Sequence, residues 1–366
     1  MRMRPVIING KFLSASMTGV HRVASELVCG MDRLLSAGPV DPERVPRVLG
    51  PKTARNGLDL TMIPINLEGR LTAQFWEQFE LPGLARDALL VGLCNLSPLA
   101  HPRAVTMIHD AQVFLTPQSY SAPFRAWYQF ALPQIGRRAL RILTVSEFSK
   151  TQLVRFGVAE ADRIAVIHNG ADHILRTPAD HSVVTRLGLA RGGYAVALAN
   201  TQKHKNIRIL FQAARLRAMT GIPLVLIGAA TADDFVAAGT PPPPDTIFAG
   251  KVSDAELRGL LESAGCLAFP STTEGFGLPP LEAMYVGCPA VVAPAGALPE
   301  VCGDAAIYAD ADDAEAWADA IASVVGDPDL RRRMIALGAS QAARFSWDDA
   351  AQKLLDTIDS IRLTAS

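Results

Sequence analysis

The sequence predicts an α/β protein made of two doubly wound parallel-sheet domains, each Rossmann-like. Short apolar runs alternate along its length with amphipathic helical stretches, the pattern of parallel strands covered by helices on both faces. With 366 residues, 49% of them hydrophobic and 19% charged, the chain is long enough for two buried cores at roughly 150 residues per domain. A polar, Gly- and Pro-containing stretch at residues 168–193 separates two such series and reads as linker and hinge.

Strands are expected in the first half at residues 6–8, 89–91, 105–108, 142–145 and 164–167. In the second half they are expected at residues 194–198, 224–227, 247–249, 266–269, 290–292 and 306–308. These are short, mostly apolar runs, as buried parallel strands are. The run Gly239-Thr240-Pro241-Pro242-Pro243-Pro244-Asp245 is a rigid exposed connection, not a boundary. Ser146, directly after one strand, is placed to cap the next helix with its hydroxyl.

Composition narrows the classes. No apolar run reaches the roughly 18 residues that span a bilayer. The apolar stretch behind Met1-Arg2-Met3-Arg4 is too short for a signal peptide, so a cytoplasmic location is expected. Five cysteines, Cys29, Cys94, Cys266, Cys288 and Cys302, lack C-x-x-C spacing and read as reduced core thiols, with neither disulfides nor structural zinc. Residues 1–170 carry a net charge of +6 and the remainder −7. A basic half suits an anionic membrane surface, a phosphorylated acceptor or nucleic acid, or it is charge spread over solvated faces. No nucleic-acid-binding module is recognisable, so no nucleic-acid partner is expected. Dinucleotide, P-loop, metalloprotease and esterase signatures are absent as well.

The most informative stretch is Phe269-Pro270-Ser271-Thr272-Thr273-Glu274-Gly275-Phe276-Gly277-Leu278-Pro279-Pro280-Leu281-Glu282-Ala283-Met284. An apolar strand ends, a glycine-rich turn follows, and a helix begins with Pro279 and Pro280 in its first turn. Backbone N–H groups of Gly275, Phe276, Gly277 and Leu278 then have no intrahelical partners, and with the helix dipole they form a site for phosphate. Glu282, one turn into the helix, is placed to take two hydroxyls of a ribose. Polar groups behind other strands mark the same edge of each sheet: His109-Asp110, His168-Asn169-Gly170, and Asn200-Thr201-Gln202-Lys203-His204-Lys205-Asn206. In the last of these, positive charge before a helix adds to its N-terminus in holding a diphosphate.

The Glu274 to Glu282 spacing resembles the E-x7-E signature of retaining glycosyltransferase family 4, which has the GT-B fold: two Rossmann-like domains facing a cleft. The resemblance extends over nearly the whole chain, through Ile108-His109-Asp110, Pro117-Gln118-Ser119-Tyr120, Thr144-Val145-Ser146-Glu147-Phe148-Ser149, Ala297-Leu298-Pro299-Glu300-Val301 and Phe345-Ser346-Trp347. It implies an acceptor domain at residues 1–175, a nucleotide-sugar domain at 176–345, and a last helix at 346–366 returning toward the first domain. It also implies that Glu274 faces the donor sugar, that Glu282 holds the ribose, and that His109 stands beside the sugar. Lys205 aligns with the family's phosphate-loop lysine. Asn200, Lys203 and the 275–278 backbone join it as donor-binding, with Glu274, His109 and Lys205 as the catalytic set. Many members carry an arginine six residues before that lysine, where this chain has Ala199; Lys203 or His204 is the expected substitute.

His168-Asn169-Gly170 is similar to the domain-crossing turn, with Gly170 expected at positive φ. Met17-Thr18-Gly19-Val20-His21-Arg22 resembles the glycine loop on the acceptor side, so Gly19, Val20, Arg22 and Asp110 are expected there, with close backbone approach at Gly19. The activity implied is α-linked transfer, with retention, from a nucleotide-diphosphate sugar to a hydroxyl. GDP-mannose and a saccharide or polyprenyl-diphosphate-linked acceptor of bacterial polysaccharide or O-antigen assembly are the first choice. A UDP-sugar donor and a non-catalytic nucleotide-sugar binder are the alternatives. No cofactor and no metal are expected, and Asp310 and Asp312 read as a solvated loop. Peripheral membrane binding is expected through the basic half, with Arg137 and Arg138 both approaching Arg141 on a helix.

Overall fold

The computed structural model describes residues 4–54 and 57–364. Met1, Arg2 and Met3, part of the N-terminal stretch weighed against a signal peptide, lie outside them. The chain divides into one unit of Met1–Gly170 with Trp347–Ser366 and a second of Ala171–Ser346.

The first unit holds strands β1 (Val6–Asn9), β2 (Arg47–Gly50), β3 (Ile65–Leu67), β4 (Leu89–Gly92), β5 (Ala104–Met107), β6 (Arg141–Thr144) and β7 (Ile164–Val166). They form one parallel sheet in the order β3-β2-β1-β4-β5-β6-β7. The second unit holds β8 (Ala195–Leu198), β9 (Leu224–Ile227), β10 (Ile247–Gly250), β11 (Cys266–Phe269), β12 (Ala290–Val292) and β13 (Ala306–Tyr308). Their parallel order is β10-β9-β8-β11-β12-β13. In each sheet the direction of winding reverses at one place, between β1 and β4 and between β8 and β11. Loops leaving the carboxyl ends of those strands diverge to opposite faces and open a crevice for ligand.

Burial on both faces explains the strands' composition. Val6, Ile7, Ile8, Leu90 and Val91 in the first sheet, and Val196, Ala197, Val225 and Leu226 in the second, are at most 2% exposed, as parallel strands between helix layers must be. In the second unit the helix Ala314–Gly326 turns Trp317, Ile321 and Val324 inward at helical spacing, onto Phe211 and Leu210 of the helix Ile207–Ala213. Phe211 meets Phe235 edge to face, with centroids 5.1 Å apart, the arrangement the ring quadrupoles favour. Ser146 accepts the N–H of Ser149 at 2.9 Å and caps the helix Glu147–Arg155.

Four expectations change. Strands β2 and β3 are additional to those read from the sequence; both are short and lie toward one edge, and β3 is not fully buried. Residues 168–193 are not a free linker. Most of them fold into the second unit as the turn Asp172–Leu175 and the helix Ser182–Arg186, which packs on the helix Asp254–Ser263. Among the described residues the glycines at positive φ include Gly157 and Gly188 but not Gly170, so the crossing needs no left-handed residue there. Arg137, Arg138 and Arg141 do not share a helix: the helix Ala122–Arg138 ends first, and Arg141 begins β6 in register with Val105. The sheet's demand for a strand beside β5 overrides the spacing, and the Arg141 guanidinium donates to the Asp162 carbonyl at 2.5 Å.

The helix Trp347–Thr364 belongs to the first unit and packs along the helix Gly19–Ser36. Trp347 and Leu354 are fully buried and Ile358 is 3% exposed. Trp347→Ala is expected to cost about 3 to 5 kcal/mol, measured by urea unfolding of the whole chain, and to leave the second unit's cooperative transition in place.

Candidate active site

The second sheet's switch point carries the sharpest constellation. Leaving β8, the chain turns at Lys203–Lys205 and passes through Asn206 in the left-handed region before the helix Ile207–Ala213. Leaving β11, it runs through Glu274 to Gly277, whose φ of +108° starts the helix Leu278–Tyr285, with Pro279 in its first turn. A non-glycine residue at Gly277 would be strained, and its Cβ would stand 2.7 Å from Leu298 Cδ2. The two loops are tied together: Thr272 N–H donates to the His204 carbonyl at 2.8 Å.

Across them Lys205 Nζ donates to Glu274 Oε1 at 2.7 Å, with side chains 23% and 11% exposed. This charge-assisted bond places a cation and a carboxylate together at the strand ends. Lys205 also lies 5.8 Å over the Phe269 ring. Glu274 is fixed from behind by a backbone clasp, in which Ala297 N–H donates to the Glu274 carbonyl at 3.0 Å. Gly296, at φ +63°, permits that approach, since a Cβ there would sit 2.4 Å from Glu274 N.

Glu282 meets His173 Nε2 at 3.1 Å. His173 comes from the turn Asp172–Leu175, on the stretch read as linker, and carries no motif that would have flagged it. Asn200 accepts the Gln202 N–H at 2.8 Å and, with Lys203, Asn206 and Arg208, lines a cavity of about 290 Å³. Phe276 turns its side chain into the core, 4% exposed and edge-on to Phe345, so any part it plays in donor binding falls to its backbone. His204 is 3% exposed. Burial, with Lys205 beside it, lowers its pKa to about 4, so it is neutral near pH 7 and does not replace an arginine. The other expected substitute, Lys203, opens the same turn.

In the first unit His109 follows β5. It is 5% exposed, and its Nε2 lies 2.8 Å from the Leu93 carbonyl. A carbonyl oxygen only accepts, so Nε2 carries the proton and Nδ1 is the basic nitrogen. Burial lowers its pKa to about 4. Asp110 accepts the Gln112 N–H at 2.9 Å. Gly19 opens the helix Gly19–Ser36, where an added Cβ would meet nothing within 4 Å; it serves no close approach within the protein. Val20 offers its carbonyl to Cys94 at 3.9 Å, and Arg22 lies 4.0 Å from Glu26. His21, absent from the expected set, bonds through Nδ1 to Ser16 and Thr18. Asp310 and Asp312 form a loop in which Asp312 N–H donates to Asp310 at 2.9 Å.

Residues 20–174 match the sequence profile of Glycosyltransferase Family 4, and residues 191–341 match that of Glycosyl transferases group 1. Over 265 residues, 69% of each chain, the protein is 35% identical to O-antigen chain mannosyltransferase B of Escherichia coli. Over 261 residues, 70% of this chain and 69% of the other, it is 26% identical to O-antigen chain mannosyltransferase RfbU of Salmonella typhimurium. Its fold superposes on Anabaena HepE in complex with UDP-glucose with a TM-score of 0.69, covering 98% of this chain and 100% of that one at 18% identity. The chain belongs to the family 4, group 1 glycosyltransferases, and its fold is GT-B. It is a glycosyltransferase.

The buried His109 makes a pH prediction. Its folded pKa of about 4 lies below the ordinary 6.5, so between those values the unfolded chain binds more protons and stability rises with pH. Lowering the pH from 7 to 5 should therefore cost about 2 kcal/mol through this group. Urea unfolding at both pH values should show that loss in the wild type and a loss smaller by that amount in His109→Gln.

Proposed function

We propose that the enzyme transfers mannose from GDP-mannose, with retention, to a hydroxyl of a saccharide or lipid-linked saccharide in O-antigen-type assembly. The observation that carries this is the Lys205–Glu274 pair at the β8/β11 switch point, with Glu282 one turn into the helix that follows, in a chain with relatives named mannosyltransferases. In this reading Lys205, Lys203 and the N-terminus of Leu278–Tyr285 hold the diphosphate, the carboxylate of Glu274 stands near the sugar, and Glu282, oriented by His173, takes the ribose. The bond from the anomeric carbon to the diphosphate oxygen breaks, and the acceptor oxygen bonds the same face. Its proton passes to the leaving phosphate. Stabilising charge on the diphosphate is then the main catalytic asset. The first unit holds the acceptor, with Asp110, Gly19, Val20 and Arg22 on that side, and supplies His109 to the catalytic set.

A UDP-sugar donor is the second reading, favoured by the likeness to HepE in complex with UDP-glucose. A thermal-shift panel of GDP, UDP and their sugars separates the two, since a ligand at 100 times its Kd stabilises by roughly 2.7 kcal/mol. Shifts with uridine nucleotides alone would overturn the GDP-mannose assignment. Lys205→Ala should lower donor turnover about ten- to a hundredfold. Glu274→Gln should depress kcat while calorimetry finds nucleoside-diphosphate affinity kept, and Glu282→Ala should weaken that affinity. Equal affinity losses in both variants would remove the division of labour. Turnover should survive EDTA; abolition by EDTA with recovery on adding manganese or magnesium would reject the metal-free reading.

Among the described residues no helix is long and apolar enough to cross a membrane. Peripheral binding to an anionic leaflet is our reading of the basic half, supported by the exposed, stacked Phe75 and Phe79 and the exposed Leu71 of the first unit. Each basic side chain near such a surface adds about 1 kcal/mol, screened within roughly 8 Å at physiological salt. Co-sedimentation with anionic vesicles should be strong at low salt and weakened by Phe75→Ser with Phe79→Ser. No preference for anionic over neutral vesicles would leave a soluble saccharide as the acceptor.

A further inference from the structure

At the switch point of the first sheet lies an ion pair that the functional reading has not used. Asn9 ends β1, and Lys11 follows it in the turn Gly10–Ser14. Glu77 is fully buried, and both oxygens of its carboxylate are engaged: Asn9 Nδ2 donates to Oε1 at 2.6 Å and Lys11 Nζ to Oε2 at 2.5 Å. Glu77 reaches this place from a one-turn π-helix, Trp76–Glu80, a widened turn that recurs at functional sites. The segment before that turn is held to it: Trp76 Nε1 donates to the Glu68 carbonyl at 2.8 Å, and Glu80 takes the N–H groups of Arg70 and Leu71.

The pair stands at the carboxyl end of β1, whose neighbours in the sheet are β4 and then β5. Burial lowers the pKa of His21, with the Lys11 charge adding to that, and burial raises Cys94 and Tyr128, where Lys11 opposes the rise at Cys94 and Glu77 and Asp110 add to the rise at Tyr128. His109 in turn feels His21. Lys11 follows β1, Cys94 follows β4, and His109 and Asp110 follow β5, so these residues stand behind the carboxyl ends of adjacent strands, where open α/β sheets bind ligands. Buried ion pairs are poor stabilisers compared with apolar packing of the same volume, so stability alone does not account for one at this position.

We infer that Lys11 is an acceptor-contact residue, donating from its ammonium to a hydroxyl oxygen of the acceptor saccharide, and that Glu77 is the positioning residue that holds it. An ammonium has three donors, one of which serves Glu77, and the Lys11 side chain remains 17% exposed. Lys11 and Glu77 are matched one to one as an ion pair, and burial, with the Lys11 charge adding to it, lowers the pKa of His21. That balance suits an uncharged hydroxylated ligand better than a phosphate dianion.

This deepens the proposal that the first unit takes the acceptor, and its test needs no donor. Ligand-observed NMR on the whole protein, with a panel of methyl glycosides that includes methyl α-mannoside, should show binding in the wild type. Binding should weaken about tenfold or more in the paired variant Lys11→Met with Glu77→Gln, which leaves no buried charge unmatched. Lys11→Arg should retain most of it. Calorimetry of GDP and of UDP with the paired variant should match the wild type, which reads the donor site separately. No glycoside binding in the wild type, equal binding in the paired variant, or inorganic phosphate as the Lys11-dependent ligand would each overturn the inference. A GDP affinity different from expectation would instead count against the donor assignment alone.

Discussion

The bond between Lys205 and Glu274 is the interaction around which the second unit is organised. It joins the loop after β8 to the loop after β11, the pair of strands at which the winding of the sheet reverses. Much of the surrounding detail serves to hold those two loops in place. Asn206 adopts a left-handed conformation and donates to the Ala311 carbonyl at 2.8 Å. Thr272 reaches the His204 backbone, and Gly296 lets Ala297 clasp the Glu274 carbonyl. A cation and an anion held this way cost the site little reorganisation when a charged ligand arrives, which is what electrostatic preorganisation means physically.

Burial divides the neighbouring groups by task. His204 sits one residue from Lys205 yet is neutral near pH 7, because desolvation and the adjacent ammonium both oppose its protonation. Lys205, partly open to solvent, faces the Glu274 carboxylate. The same logic leaves His109 a neutral imidazole whose tautomer is set by the Leu93 carbonyl. Cys94 and Cys288 are pushed up to about 12 by burial, so these thiols are packing groups without thiolate character.

The first unit shows the same plan with different chemistry. Its switch point holds Lys11 against a carboxylate buried in a π-turn, where the second unit holds Lys205 against a carboxylate at a glycine turn. Two sheets of one design thus present a lysine and a glutamate at equivalent edges, one pair more open to solvent than the other.

The sequence by itself determined the α/β class, most of the strands and the E-x7-E loop. These depend on local signals: apolar runs of strand length, glycines and prolines at a helix start, and residues directly behind a strand. Glu274, Glu282, Lys205 and His109 were singled out by their places behind strands or at a helix start together with the family resemblance. Only the tertiary structure decided which groups meet. His173 reaches Glu282 and Glu77 reaches Lys11 from segments far away in the chain, so no local pattern records either contact. Strands β2 and β3 were hidden because β2 forms against β1 and β3 against β2, and Arg141 left the expected helix because β5 offered a free edge. The burial that neutralises His204 and turns Phe276 inward comes from elements closing over them after the chain has folded, and spacing carries no information about that.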